Sequence, residues 1–329
     1  MNYTTTDPPG TEEIVIPHAV VVSIEDFLSQ NFPPRENLLA PWLKTQSLNM
    51  LYAWRGIGKT FFALEIAYAV ASGGSFLGWT APKPRGVLYI DGEMPGTVLQ
   101  ERIARIVSSS EQEAAPGMFK ILTPDLQAAG MPNLSEREGQ QEIDRHIDEA
   151  AELIIVDNLS CLVRGGGREN DAESWLAVQE WALRLRSRGK SVLFIHHAGK
   201  GGAQRGTSKR EDVLDVVLLL KRPTNYEQSE GCHVEIHYEK ARGLTGADVE
   251  PVEARLVTEP DETRKWEWNV SENALPDIVK ELAELGMERK EIIRELKESY
   301  GKSSATAYRL TKEFFPNDEK TREKTVRKW

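Results

Sequence analysis

The sequence predicts an α/β protein in which a mainly parallel central sheet is followed by a small C-terminal helical unit. Three observations carry this. From about residue 48 to 220, short apolar runs alternate with amphipathic helical segments, the pattern of crossover units that feed a parallel sheet. Residues 53–60, Ala-Trp-Arg-Gly-Ile-Gly-Lys-Thr, follow one of those runs and open a helix, the setting of a phosphate-binding loop. Beyond residue 270 the pattern changes to three short helical segments, and the charge changes with it. Residues 271–329 carry 13 basic and 12 acidic side chains, against 28 and 39 in residues 1–270.

Each element has a local reason. Residues 1–20 are polar and contain proline, and read as a loose leader. Residues 23–30 suit a short helix, which Asn31-Phe32-Pro33-Pro34 breaks. Strands are predicted at 48–53, 86–91, 120–122, 153–157, 191–196 and 213–220, where the apolar runs are short. Helices are predicted at 59–71, 97–108, 136–149 and 172–188. Residues 233–240 and 265–270 alternate apolar with polar side chains, which suits edge or antiparallel strands. Residues 271–275 form a junction before helices at 277–285, 288–298 and 303–315, separated by Gly286 and by Tyr300-Gly301-Lys302. The expected division is a leader with a short helix at 1–40, a core at 41–270 and a helical unit at 271–329.

Composition excludes several classes. The 329 residues are 40% hydrophobic and 28% charged, which suits a packed globular chain. No apolar run approaches the ~18 residues of a membrane span. The N-terminus lacks the basic and apolar regions of a signal peptide. Two cysteines, Cys161 and Cys232, give no disulfide framework, and a cytoplasmic location is expected. The net charge of -10 argues against a uniformly basic nucleic-acid glove, while leaving room for a basic inner channel.

The loop at 53–60 predicts ATP and Mg²⁺. Gly56 and Gly58 let the backbone curl so that amides converge on phosphate oxygens, and the helix N-terminus adds its dipole. Arg55, Gly56, Ile57, Gly58, Lys59, Thr60 and Phe61 are the candidate nucleotide-binding residues. Lys59 would reach the β- and γ-phosphates, and Thr60 would offer a hydroxyl to Mg²⁺. Ala53 stands where the usual pattern has its first glycine. Asp157 ends an apolar strand at the mouth of the sheet, where it either orients Mg²⁺ or caps the next segment. Asp91 and Glu93 both emerge at the end of the strand after the loop's helix, as candidate bases for an attacking water.

The run Glu93-Met94-Pro95 resembles the S-L-E-M-P motif of DnaB-type hexameric replicative helicases, within the RecA/KaiC-like P-loop ATPases. The resemblance covers roughly residues 40–250, and the short chain looks most like the small RepA-type helicases. It implies a RecA-like core in which Glu93 polarises water. It gives His197 the place of the γ-phosphate sensor, which is often Gln in relatives. Residues 198–208, with Lys200 and Arg205, take the place of one DNA-facing loop, and Arg164-Gly-Gly-Gly-Arg168 takes that of the other. Tyr238-Glu-Lys240-Ala-Arg242-Gly-Leu-Thr-Gly resembles the K-x-R-x-G-x-T-G element, whose Lys and Arg reach a neighbour's γ-phosphate. Lys240 and Arg242 are therefore catalytic candidates in trans, with Arg205 as the competing finger. The implied assembly is a homo-oligomer, a hexameric ring on single-stranded DNA, with a primase or initiator protein as a further partner.

Residues 288–315 resemble a helix-turn-helix. Ser303 suits an N-cap, Thr306 and Arg309 would face bases, and Lys302 would sit on phosphate. The same helices also suit a lid or a protein-contact module. The expected activity is a DNA-dependent motor ATPase, a small replicative helicase. The alternative is a RecA/KaiC-like regulatory ATPase that controls a partner without unwinding.

Overall fold

The runs at 48–53, 86–91 and 191–197 are buried along their whole length, so both faces of the sheet they form must be covered. A computed structural model describes residues 19–164, 172–198, 212–223, 226–260, 263–271, 275–298, 300, 302–312 and 314–315. The chain divides into two compact units, residues 1–34 and 35–329. In the first, helix α1 (Ile24–Ser29) is capped by Ser23, whose hydroxyl accepts from the Asp26 N–H at 3.1 Å.

The second unit opens with the antiparallel pair β1 (Asn37–Leu39) and β2 (Leu43–Lys44), then β3 (Leu48–Ala53) and α2 (Lys59–Ser72). A hairpin of β4 (Ser75–Phe76) and β5 (Trp79–Thr80) leads to β6 (Gly86–Asp91) and α3 (Gly96–Ser109). There follow β7 (Phe119–Leu122), α4 (Arg137–Asp144), β8 (Ala151–Asp157), α5 (Leu159–Leu162), α6 (Ala172–Ser187) and β9 (Ser191–His197). Next come β10 (Val216–Lys221), β11 (His233–Ala241), β12 (Val252–Thr258) and β13 (Arg264–Val270). Helices α7 (Leu275–Glu284), α8 (Arg289–Glu298) and α9 (Ser304–Lys312) close the described chain.

One nine-stranded sheet runs β13-β12-β11-β10-β3-β9-β8-β6-β7. Strands β10 to β7 are parallel, and β11, β12 and β13 extend the sheet in antiparallel fashion. Side chains alternate between two cores, as strand periodicity requires. Leu51, Leu153, Ile155, Leu193 and Ile195 join the core under α2 and α3. Met50, Ile154, Val156, Val192 and Phe194 join the core under α6.

The sequence expectations differ from this in particular places. Strand β12, lying between the two alternating runs, was not anticipated, although Val252-Glu253-Ala254-Arg255-Leu256 carries the same apolar–polar alternation as its neighbours. Helix α4 is shorter than 136–149, because residues 145–150 turn back towards β8. The three C-terminal helices pack around Leu275, Ile278, Val279, Ile292, Leu296 and Ala307, and Val270 at the end of β13 joins that cluster.

Candidate active site

The loop after β3 is shaped by two glycines in the left-handed region, Gly56 at φ 77° and Gly58 at φ 112°. A Cβ on Gly58 would stand 2.8 Å from Cys232 Sγ, so a side chain here is strained on angle and must also displace that thiol. Ala53, in place of the usual glycine, is simply the last residue of β3 and is fully buried. The Lys59 ammonium donates to the carbonyls of Ala53 at 3.1 Å and Trp54 at 2.9 Å, tying the helix start to the strand end. Burial pulls the Lys59 ammonium down to about 8, against the pull of Asp157 and Glu93.

Asp157 ends β8 and is buried. Tyr89 donates its hydroxyl to Asp157 Oδ2 at 2.6 Å, and the Thr60 hydroxyl also hydrogen-bonds to this carboxylate. Burial pushes the Asp157 carboxyl up to about 6 in spite of those bonds, with Asp91 and Glu93 adding to the rise. Asp91 ends β6 and shapes the next turn. Its carboxylate accepts from the N–H groups of Glu93 at 3.3 Å and Met94 at 3.2 Å, and from the Thr123 hydroxyl at 3.0 Å. Both Asp91 oxygens are so engaged, whereas the Glu93 side chain projects into a cleft and accepts from the Cys161 thiol at 3.3 Å.

That cleft, about 560 Å³, brings together Lys59, Thr60, Glu93, Asp157 and His197, with Arg55, Gly56, Gly58 and Phe61 also in its lining. Ile57 lies instead in an adjoining cleft of about 570 Å³, shared with Gly56, Gly58 and Phe61 and with Arg222, Arg255 and Arg264. Phe61 borders both clefts, and the Arg102 and Arg264 guanidinium groups lie 5.0 and 5.7 Å from its ring centroid.

The protein oxygens fit Mg²⁺ in kind and number. Thr60 and Asp157 would offer hard oxygen ligands on one wall, and a cation would offset the cost of burying that carboxylate. Among the described residues no group of three or more His, Cys, Asp or Glu is arranged to hold a metal, so phosphate oxygens and water would complete the shell.

The remaining candidates lie elsewhere. Lys240 Nζ and Arg242 Nη2 both donate to the Asp212 carbonyl, at 3.3 and 3.4 Å, and neither lines the cleft of its own chain. Arg164 donates to the Met131 carbonyl, and its N–H reaches Asn133 Oδ1 at 2.9 Å. Arg168, Lys200 and Arg205 lie outside the described residues. In the C-terminal helices the Ser303 hydroxyl accepts from the Thr306 N–H at 3.2 Å, as an N-cap should, and Arg309 is exposed on α9. The Lys302 N–H donates to the Leu296 carbonyl at 2.9 Å, closing the turn before that cap. Sequence reasoning missed Arg102 and Cys161 at the cleft, and Tyr89 buried behind Asp157. The signal for Tyr89 was its place two residues before Asp91, on the same side of the strand.

A mainly parallel sheet with the phosphate loop after β3, an acid at the end of β8 and β9 between them is the core of a RecA-like P-loop ATPase. The chain belongs to the AAA domain family, whose profile matches residues 12–203. Solved structures it is similar to include a KaiC-like protein, PH0186, from the hyperthermophilic archaeon Pyrococcus horikoshii OT3. That match has 14% identity and a TM-score of 0.48, over 70% of this chain and 93% of that chain. Another is the RadB recombinase, at 15% identity and TM-score 0.45 over 67% of this chain and 90% of that one. A third is a solved ATPase domain, at 14% identity and TM-score 0.46 over 65% of this chain and 82% of that one. No helix among the described residues is long and apolar enough to cross a membrane.

Proposed function

We propose that the protein is an ATP-hydrolysing, DNA-dependent motor: a small ring-forming replicative helicase that acts on single-stranded DNA in the cytoplasm. The observation that carries this is the convergence of Lys59, Thr60, Glu93, Asp157 and His197 on one cleft, while Lys240 and Arg242 stand outside it. Lys59 and the loop amides bind the β- and γ-phosphates of ATP. Thr60 and Asp157 would hold Mg²⁺, which would supply positive charge beside the phosphates. Glu93 accepts the proton of the attacking water, and His197 donates a hydrogen bond to the γ-phosphate. The Arg102 and Arg264 guanidinium groups over the Phe61 ring bring positive charge next to the phosphate loop.

A cation at the transferring phosphate stabilises its transition state. Lys240 and Arg242 supply that charge to the neighbouring subunit, which makes a homo-oligomer, a hexameric ring, part of the proposal; Arg205 is the competing finger. Arg164, Arg168 and Lys200 grip the strand through its phosphates. Lys302, Thr306 and Arg309 form the helix-turn-helix contact to DNA, and a primase or initiator protein is the proposed loading partner.

Steady-state ATP hydrolysis with and without single-stranded DNA tests this, with Glu93→Gln as the control. The expected result is a several-fold rise with DNA and loss of turnover by about 10²-fold or more in Glu93→Gln. Hydrolysis indifferent to DNA would favour a second reading, a regulatory ATPase that controls a partner without unwinding. The separately packed cluster of α7–α9 is the observation that favours it.

A further inference from the structure

The loop that carries Glu93 is pressed against α5. A Cβ on Gly92 would stand 2.9 Å from Cys161 Cβ and 2.9 Å from Leu162 Cγ, so only a glycine lets the two backbones approach this closely. The Gly92 N–H donates to the Asp157 carbonyl at 2.7 Å, which ties the loop to the end of β8. Helix α5 is fixed from the other side, where Asn158 Oδ1 accepts from the Cys161 N–H at 3.2 Å. These contacts set the backbones of Glu93 and Cys161 but leave the Glu93 carboxylate to be oriented. Among the described residues its hydrogen-bond donor is the Cys161 thiol, 3.3 Å from Oε2. Asp91, two residues earlier, spends its own carboxylate on backbone N–H groups and Thr123, so it does not share this task.

We propose that Cys161 is a positioning residue for Glu93: its S–H holds Oε2 and leaves Oε1 to accept from the attacking water. This rests on the assignment of Glu93 as the general base. The thiol keeps its proton throughout, so the step itself is unchanged: water gives its proton to Glu93 and its oxygen to the γ-phosphorus, and ADP leaves. Burial, reinforced by the Glu93 hydrogen bond and charge, pushes the Cys161 thiol up to about 12, so it remains a neutral donor at physiological pH. A carboxylate held by one donor keeps the geometry that proton transfer requires; one that rotates freely loses much of it.

The test measures kcat and KM for ATP in the full chain with Cys161→Ala, Cys161→Ser and Glu93→Gln, together with ATP affinity by direct binding. Removing the donor in Cys161→Ala lowers kcat about tenfold, with KM and ATP affinity unchanged. Serine restores a donor, stronger but of slightly shorter reach, which the exposed Glu93 side chain can follow, so Cys161→Ser stays within about threefold of the parent. Three outcomes overturn the proposal: Cys161→Ala at the parent kcat, Cys161→Ser falling as far as Cys161→Ala, or a matching loss of ATP affinity, which marks a general disturbance of the cleft. If Glu93→Gln hydrolyses ATP as fast as the parent, the assignment of Glu93 fails first and Cys161 falls with it. If Glu93→Gln is inactive and Cys161→Ala is not impaired, this proposal alone fails.

Discussion

Gly58 shows how tightly single residues constrain the site. Its φ of 112° disfavours any side chain, and the 2.8 Å approach of Cys232 Sγ would force that thiol to move. Gly58→Ala should cost roughly 1–3 kcal/mol in strain alone, lower Tm and abolish ATP binding, measured by thermal unfolding and by titration with ATP. Cys232→Ala in the same background should relieve the contact but not the strain, so Tm should recover only in part. Most of the cleft was legible at this scale. Lys59 and Thr60 stand in a motif, and Glu93, Asp157 and His197 each close or follow an apolar run, where a polar residue is conspicuous. Tyr89, Cys161 and Arg102 were not. Tyr89 sits inside its apolar run, Cys161 in a four-residue helix, and Arg102 on a helix face that any solvated arginine would occupy. Their roles come from distances between elements, which spacing along the chain does not encode.

Helix α2 and strand β13 meet through a half-buried acid. The Trp266 indole N–H donates to Glu65 Oε1 at 2.9 Å, and burial pushes the Glu65 carboxyl from its ordinary value of 4.5 up to about 7. The folded state then holds a proton that the unfolded chain has released. Stability from this group is present below about 4.5 and is lost as pH rises to about 7. Glu65→Gln should remove that slope and raise Tm at pH 8, and a series of thermal melts between pH 5 and 8 checks it. A parent curve as flat as the variant's would place the acid in water. The same elements show where strand prediction succeeds. Strands β3, β6, β8 and β9 are apolar on both faces and were read with ends correct to within about two residues. Strand β12 carries the alternation of a half-buried strand, Val252, Ala254 and Leu256 against Glu253 and Arg255, and was legible on the same signal that marked its neighbours.

For the whole molecule, the expected boundary near residue 271 becomes a test. Ser271 is buried, and its N–H donates to the Pro251 carbonyl at 2.8 Å, so the core reaches at least this far. The α7–α9 cluster has its own apolar centre, and the Tyr300 hydroxyl donates to Glu250 Oε1 at 2.5 Å across to the core. A chain ending at residue 271 should fold, keep ATP hydrolysis within about threefold and lose binding to duplex DNA. Unfolding of that shortened chain would make the helices part of the core. Sedimentation with and without ATP tests the ring, which should form in the Glu93→Gln variant with ATP bound.

The strand order also bears on how the chain is made. Strands β6 and β8 are neighbours, so both halves of that pair exist in the chain once residue 157 has been added. Strand β3, which carries the phosphate loop, pairs only with β9 and β10, at residues 191–197 and 216–221. A nascent chain on the ribosome therefore holds the complete motif long before the loop has a sheet to stand on. Such distant pairing slows folding and leaves an unpaired strand exposed while translation continues. Nucleotide capture becomes a late event, and bound ATP rewards only chains that have closed the centre of the sheet. A fragment ending at residue 190 would carry every letter of the phosphate loop and still bind nothing.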